Sequence, residues 1–277
     1  MRCSTNRIAP VVKWAGGKSQ LLPNLLELIP KRFNLFVEPF LGGGAMTLSI
    51  LPKHAILNDS NMELINMYKT VRDNVEELIL KLGKFSNTSE CFYNVRSWDR
   101  EESYNTLDCV TKAARILYLN KTCYNGLFRV NSGGQFNAPF GRYKNPDFIN
   151  EKGLIALSSY LNNPDICIKC GDYQSCIEAI TKGTFVYIDP PYYPVSDTSN
   201  FTGYTGGGFN LSEQERLKQW CDYLDSNKVK FMQSNSYCET IKDLYGNYRL
   251  QEVDAKRIIN SKADKRGTVK EYVIMNY

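Results

Sequence analysis

The sequence predicts an α/β fold built around a mostly parallel sheet. Two observations carry this: short apolar runs that each end in a polar or turn residue, and helical periodicity between them. Leu35-Phe36-Val37 runs into Glu38-Pro39, and Ala55-Ile56-Leu57 into Asn58-Asp59. Ile166-Cys167-Ile168 leads to Gly171-Asp172, the run 185–188 to Asp189-Pro190-Pro191-Tyr192, and Val229-Lys230-Phe231-Met232 to Ser234-Asn235. Such runs suit strands covered on both faces. Open α/β sheets bind ligands at the C-terminal ends of their strands. Helical patterns occupy 63–82 and 212–224. Ser212 and Glu215 have the spacing of a capping box. The segments 248–253 and 271–277 alternate in polarity, which predicts a closing antiparallel pair.

The stretch 61–163 has a different character. It starts helical, then becomes rich in Asn, Gly, Tyr and Arg. Tyr124-Asn125-Gly126-Leu127 and Asn131-Ser132-Gly133-Gly134 carry strong turn signals. This reads as a helical and hairpin domain inserted between the second and third strands. The expected layout is 1–60 for the first part of the main domain, 61–163 for the insertion and 164–277 for the second part.

Composition narrows the class. The chain has 277 residues, 43% hydrophobic and 23% charged, ordinary for a globular protein. No apolar run approaches the roughly 20 residues of a membrane span, and residues 1–10 lack a signal-peptide core, so a cytoplasmic location is expected. Nine cysteines are scattered through the chain, which reads as free, mostly buried thiols. Cys167 and Cys170 form one C-x-x-C beside a single histidine, His54; that does not make a zinc site, and no metal is expected. The net charge of +5 is mild, but basic residues gather around Arg129, Arg142 and Lys144 and again from Lys256 to Lys270. Clusters of that kind flanking a catalytic motif favour a nucleic-acid partner.

Three motifs carry chemistry. In Asp189-Pro190-Pro191-Tyr192, a carboxylate and a rigidly aimed carbonyl can accept both hydrogens of an exocyclic amine. That localises a lone pair otherwise delocalised into the aromatic ring. Tyr192 offers a face on which a base turned out of a duplex can stack. Methyl transfer from a sulfonium is an in-line displacement, in which positioning contributes most. Second, Glu38-Pro39-Phe40-Leu41-Gly42-Gly43-Gly44 forms a tight loop after the first strand. Thr47 stands where a dinucleotide fingerprint needs its third glycine. Asp59, 21 residues beyond Glu38, suits ribose hydroxyls. This half is therefore expected to bind an adenosine-containing cofactor. Third, Lys13-Trp14-Ala15-Gly16-Gly17-Lys18 is no Walker A loop, since Val12 stands where a glycine is required. Its lysines suit a carboxylate or a DNA group.

Taken together, these motifs and Gly171-Asp172-Tyr173 resemble the Dam-like D12 class of DNA adenine methyltransferases, most closely those that recognise GATC. The resemblance covers nearly the whole chain. It implies a Rossmann-like S-adenosylmethionine-dependent methyltransferase fold with an inserted helical and β-hairpin DNA-recognition domain. It assigns Trp14, Gly16, Gly17, Lys18, Glu38, Phe40, Gly42, Gly44, Asp59, Asp172, Tyr173 and Asp189 to S-adenosyl-L-methionine. The catalytic loop is Asp189, Pro190, Pro191 and Tyr192. Through 124–129 and 136–143 the insertion resembles a target-recognition hairpin. By that likeness Lys13 and Pro139 face DNA and Tyr124 inserts beside the target, while Asn125, Leu127 and Arg129 read bases. Arg129 suits the two acceptors of guanine, and Arg142 and Lys144 suit phosphates. The implied enzyme is a monomer that methylates the N6 amine of adenine in double-stranded DNA after base flipping. A restriction endonuclease of the same system is a candidate partner. The glycine-rich 203–208 is expected to act as a lid.

The residues exclude cytosine carbon-5 methylation, which needs a nucleophilic cysteine in a Pro-Cys loop that the chain lacks. A cytosine 4-amino methyltransferase, or an inactive DNA-binding regulator on the same fold, are the alternatives. A nicotinamide oxidoreductase is weakened by the missing third glycine.

Overall fold

The computed structural model describes residues 7–14, 16–18, 20–194, 209–256 and 268–277. The elements begin with α1 (Leu22–Leu28), β1 (Leu35–Glu38), α2 (Ala45–Ile50), β2 (Ala55–Asp59), α3 (Met62–Asp73) and α4 (Val75–Leu82). They continue with α5 (Ser89–Ser97), α6 (Cys109–Thr122), α7 (Glu151–Leu161), β3 (Ile166–Cys170) and β4 (Thr184–Ile188). The last are α8 (Leu211–Ser226), β5 (Lys230–Ser236), α9 (Glu239–Leu244), β6 (Arg249–Lys256) and β7 (Thr268–Met275). The seven strands form one sheet in the order β3-β2-β1-β4-β5-β7-β6. The expected α/β class and the closing antiparallel pair are both present. β4 runs parallel to β1 and β5, whereas β7 is antiparallel to β5 and β6. Strand order reverses at β1 and β4, the switch point at which open α/β sheets take ligands.

Two compact units make up the chain: one of Met1–Gly17, Leu41–Lys53 and Leu57–Asp172, the other of Lys18–Phe40, His54–Ile56 and Tyr173–Tyr277. The second unit holds the β1-β4-β5-β7-β6 part of the sheet. Val37, Val186, Ile188, Phe231 and Ile274 of its strands join Leu217, Trp220, Cys221 and Leu224 of α8 in one core. The spacing of those α8 residues is the apolar stripe of an amphipathic helix. Its N-cap is Asn210, whose side chain accepts the Glu213 N–H at 3.1 Å. Ser212, the expected cap, instead lies in the first turn and donates to Asn210. The short Asn210 amide reaches the free N–H of the third helical residue.

The first unit is mainly helical. α6 is buried on nearly all sides, with α3, α4 and α5 packed around it. The expected helix 63–82 is two helices, α3 and α4, separated at Asn74 (φ −139°, ψ 41°). Asn competes with the backbone for hydrogen bonds and is a poor interior helix residue. β3 lies at the edge of the sheet, with alternate residues outward. Cys167 is therefore exposed, and so are Cys170 at the end of β3 and Cys109, against the expectation of mostly buried thiols; Cys123, Cys176 and Cys221 are buried. Among the described residues no helix is long and apolar enough to cross a membrane.

Candidate active site

In the second unit, β1 and β4 lie side by side with Val37 opposite Val186. Glu38 and Asp189 therefore leave the same end of neighbouring strands. The Lys18 ammonium lies 2.7 Å from Asp189 Oδ1, with the lysine only 5% exposed. It also sits 4.5 Å from the centre of the Tyr192 ring, a cation–π distance. The Tyr192 hydroxyl donates to the Glu271 carboxylate on β7. Burial pushes the Asp189 carboxyl above its ordinary range; Lys18 pulls it back, and the negative charge of Glu271 pushes it up further. Burial also raises the Tyr192 phenol well above its usual value, helped by the charges of Asp189 and Glu271.

The loop backbone is gripped from behind. Gln214 on α8 donates through Nε2 to the Pro191 carbonyl at 3.2 Å, and its Oε1 accepts from Asn235 Nδ2 at 2.9 Å. Asn235 Oδ1 accepts the Tyr193 N–H, and the Ser236 hydroxyl donates to the Tyr193 carbonyl at 2.6 Å. Gln214 and Asn235 are fully buried. Nearby, the rings of Phe40 and Tyr173 stack 5.1 Å apart. The Arg216 guanidinium lies 4.9 Å from the centre of the Tyr173 ring.

The first unit assembles the glycine loop. Gly42 (φ 49°) and Gly44 (φ 67°) adopt left-handed backbone, which an L side chain rarely does. Space is also short: a Cβ on Gly42 would stand 3.0 Å from the Trp14 ring, and one on Gly44 3.1 Å from the Tyr68 hydroxyl. Asp59 at the end of β2 accepts the Gly42 N–H through Oδ2 and the Asn61 N–H through Oδ1, both at 2.9 Å. Burial raises its carboxyl above the usual range, against the pull of those backbone donors. The Asp59 carbonyl accepts the Gly171 N–H, and Asn58 Nδ2 donates to the Gly171 carbonyl. Gly42, Asp59 and the Gly171-Asp172 turn are thereby brought together, with Asp172 exposed. Trp14 stacks on Phe128 at 4.6 Å, while Gly16 and Gly17 are exposed.

The same unit carries 124–143. Its two legs meet at isolated antiparallel bridges, Cys123 with Phe140 and Val130 with Phe136, instead of a continuous ladder. Asn131 caps the tip by accepting the Gly133 and Gln135 amides. Lys13, Tyr124, Asn125, Arg129, Pro139, Arg142 and Lys144 are all exposed, and Leu127 is half-buried. The buried Asn120 bonds both the N–H and the carbonyl of Lys13. The glycine-rich 203–208 and all but Lys256 and Lys270 of the second basic cluster lie outside the described residues.

Residues 14–259 match the D12 class of N6 adenine-specific DNA methyltransferases. The chain belongs to this family. It is 42% identical to the Type II methyltransferase M1.LlaDCHI of Lactococcus lactis subsp. cremoris, over 98% of this chain and 96% of that protein. It is 40% identical to the Type II methyltransferase M.MjaIII of Methanocaldococcus jannaschii, over 98% and 99% of the two chains. A DNA adenine methylase of Salmonella typhi shares 35% identity over 95% of this chain and 94% of its own. The methyltransferase thus acts on adenine in DNA with S-adenosyl-L-methionine as methyl donor, and the cytosine, regulator and oxidoreductase readings fall away. The Asp59 environment fits that cofactor: a carboxylate offers about four acceptor positions, and the Gly42, Asn61 and Ser60 amides draw on three, leaving one for a ribose hydroxyl.

Sequence reasoning missed Gln214, Asn235, Ser236 and Glu271. Gln214 had a signal, being the polar residue in the stripe 214, 217, 221 and 224. Asn235 and Ser236 had one too, since β5 continues past its apolar run with buried polar residues.

Proposed function

We propose that this methyltransferase modifies the N6 amine of adenine within a short duplex sequence, GATC being the candidate, with the base flipped out of the stack. The observation that carries the reading is Asp189 at the end of β4, beside a loop whose Pro191 carbonyl already accepts from Gln214. That leaves the Asp189 carboxylate and the Pro190 carbonyl to accept the two amine hydrogens. Tyr192 stacks on the base, and its ring stays oriented by Lys18 and Glu271. When bound, S-adenosylmethionine would supply an electrophilic methyl group on its sulfonium, with the thioether as leaving group, and Asp189 and the Pro190 carbonyl would aim the amine lone pair at that carbon. Asp59 holds ribose hydroxyls, while Trp14, Gly16, Gly17, Lys18, Glu38, Phe40, Gly42, Gly44, Asp172 and Tyr173 complete the cofactor site.

The segment 61–163, between the catalytic parts 1–60 and 164–277, carries target recognition. Tyr124, Asn125, Leu127 and Arg129 face bases. Lys13, Pro139, Arg142 and Lys144 face the backbone and flanks. The exposure of all of these but the half-buried Leu127 in the first unit supports this assignment. The Type II names of two relatives favour a restriction–modification setting, with a cytoplasmic monomer acting beside an endonuclease of matching specificity. Sequencing of methylated bases in DNA exposed to the pure protein tests base, site and strand together. N4-methylcytosine, or methyl groups without a shared sequence, would overturn the reading.

A further inference from the structure

Two isolated bridges, not a continuous ladder, pair the legs of the segment 124–143, and one of its peptides is gripped on both sides from outside the segment. The Phe136 N–H donates to Asp99 Oδ2 at 2.7 Å, and Arg100 Nη2 donates to the Phe136 carbonyl at 2.8 Å. Asp99 is itself aimed. The same Oδ2 lies 2.6 Å from Arg115 Nη2, and Oδ1 pairs with Arg100. Arg115 is 1% exposed in the middle of α6. Its Nε donates to the Val95 carbonyl at 3.1 Å and Nη2 to the Arg96 carbonyl at 3.1 Å, while Nη1 faces the Tyr104 hydroxyl and Glu63.

A buried ion pair is weak evidence for added stability, because apolar residues of equal volume often do as well. Here the pair also dictates where a backbone amide goes. The next residue, Asn137, accepts Arg129 Nε through Oδ1 at 2.6 Å and Arg129 Nη2 through its carbonyl at 3.3 Å. Any shift at Phe136 is passed to the Arg129 fork. Bidentate base contacts depend on that geometry.

We infer that Asp99, locked by Arg115, is a specificity-determining positioning residue that sets the Arg129–Asn137 pair for base recognition. The inference rests on the proposed base-reading role of Arg129. The experiment measures discrimination as kcat/KM on the recognised duplex divided by kcat/KM on duplexes with one substituted base. Asp99→Asn should lower this ratio about tenfold, mainly through KM on the recognised duplex, with kcat little changed. Asp99→Ala combined with Arg115→Met removes the buried charge together with its partner. It should still melt cooperatively, at a lower temperature because the Val95 and Arg96 carbonyls and the Phe136 N–H each lose a partner, and show the same loss of discrimination. Unchanged discrimination in the folded double variant, alongside relaxed discrimination in Arg129→Ala, would overturn the positioning role alone. Unchanged discrimination in Arg129→Ala would overturn the base-reading role and this inference with it.

Discussion

Lys18 Nζ lies 2.7 Å from Asp189 Oδ1 and 4.5 Å from the centre of the Tyr192 ring, so one buried ammonium contacts both chemical ends of the catalytic loop. A carboxylate that accepts amine hydrogens must stay charged, and burial opposes that. The lysine supplies the balancing charge. Asp189→Ala is expected to abolish methyl transfer and leave DNA binding nearly unchanged. A labelled-methyl assay beside a mobility shift checks both, and substantial remaining transfer would refute the role.

With Asp189 in the proposed catalytic role, Glu271 is expected to shift the acid limb of the rate. The Asp189 carboxyl titrates above its ordinary value, and activity requires its charged form, so kcat falls as pH drops through that raised value. Glu271→Gln removes a like charge and lowers the Asp189 pKa, so the limb should move to lower pH. Lys18→Met removes the opposite charge and should move it to higher pH. The measurement is kcat against pH at saturating cofactor and DNA.

Gln214→Leu keeps an α8 side chain of similar size but leaves the Pro191 carbonyl and Asn235 Nδ2 without their partner. A stranded buried polar group costs about 1–3 kcal/mol. The expected outcome is a folded protein with a lower melting temperature and a reduced kcat, because the Pro191 carbonyl is no longer held in place. Wild-type kcat in the folded variant would show that the loop holds its geometry without this bond.

Arg129 and Lys144 should separate cleanly. Arg129→Ala is expected to relax choice at one guanine by ~1–3 kcal/mol. Lys144→Ala should weaken binding to all sequences and reduce the salt slope by about one unit. Binding titrations at several salt concentrations, on recognised and substituted duplexes, distinguish the two.

Asp108 caps α6, accepting the Thr111 N–H and hydroxyl, each at 2.7 Å. These bonds hold its carboxyl below the ordinary range. Asp108→Ala should cost about 1 kcal/mol in urea unfolding at pH 7. With a lowered folded pKa, the contribution is present above the unfolded value near ~3.9. It is lost as pH falls through the folded value, so the gap between variant and wild type should close in acid.

Much of this architecture was readable along the chain. The apolar runs ending at Glu38, Asp59 and Asp189 mark real strands, because a doubly covered strand must be apolar throughout and must stop where polar groups begin. Gly42 and Gly44 announced a turn that few other residues tolerate. The cap at Asn210, the break at Asn74 and the outward Cys167 depended on neighbours that periodicity does not register. The partners of the catalytic loop were further from view. Lys18 and Asp189 are 171 positions apart, and Tyr192 and Glu271 are 79 apart. Hydrogen bonds and ion pairs act over about 3 Å, whereas local sequence pattern reports only burial and backbone preference. Motifs therefore named the candidate groups, and the folding of distant strands and α8 onto one another supplied what holds and charges them.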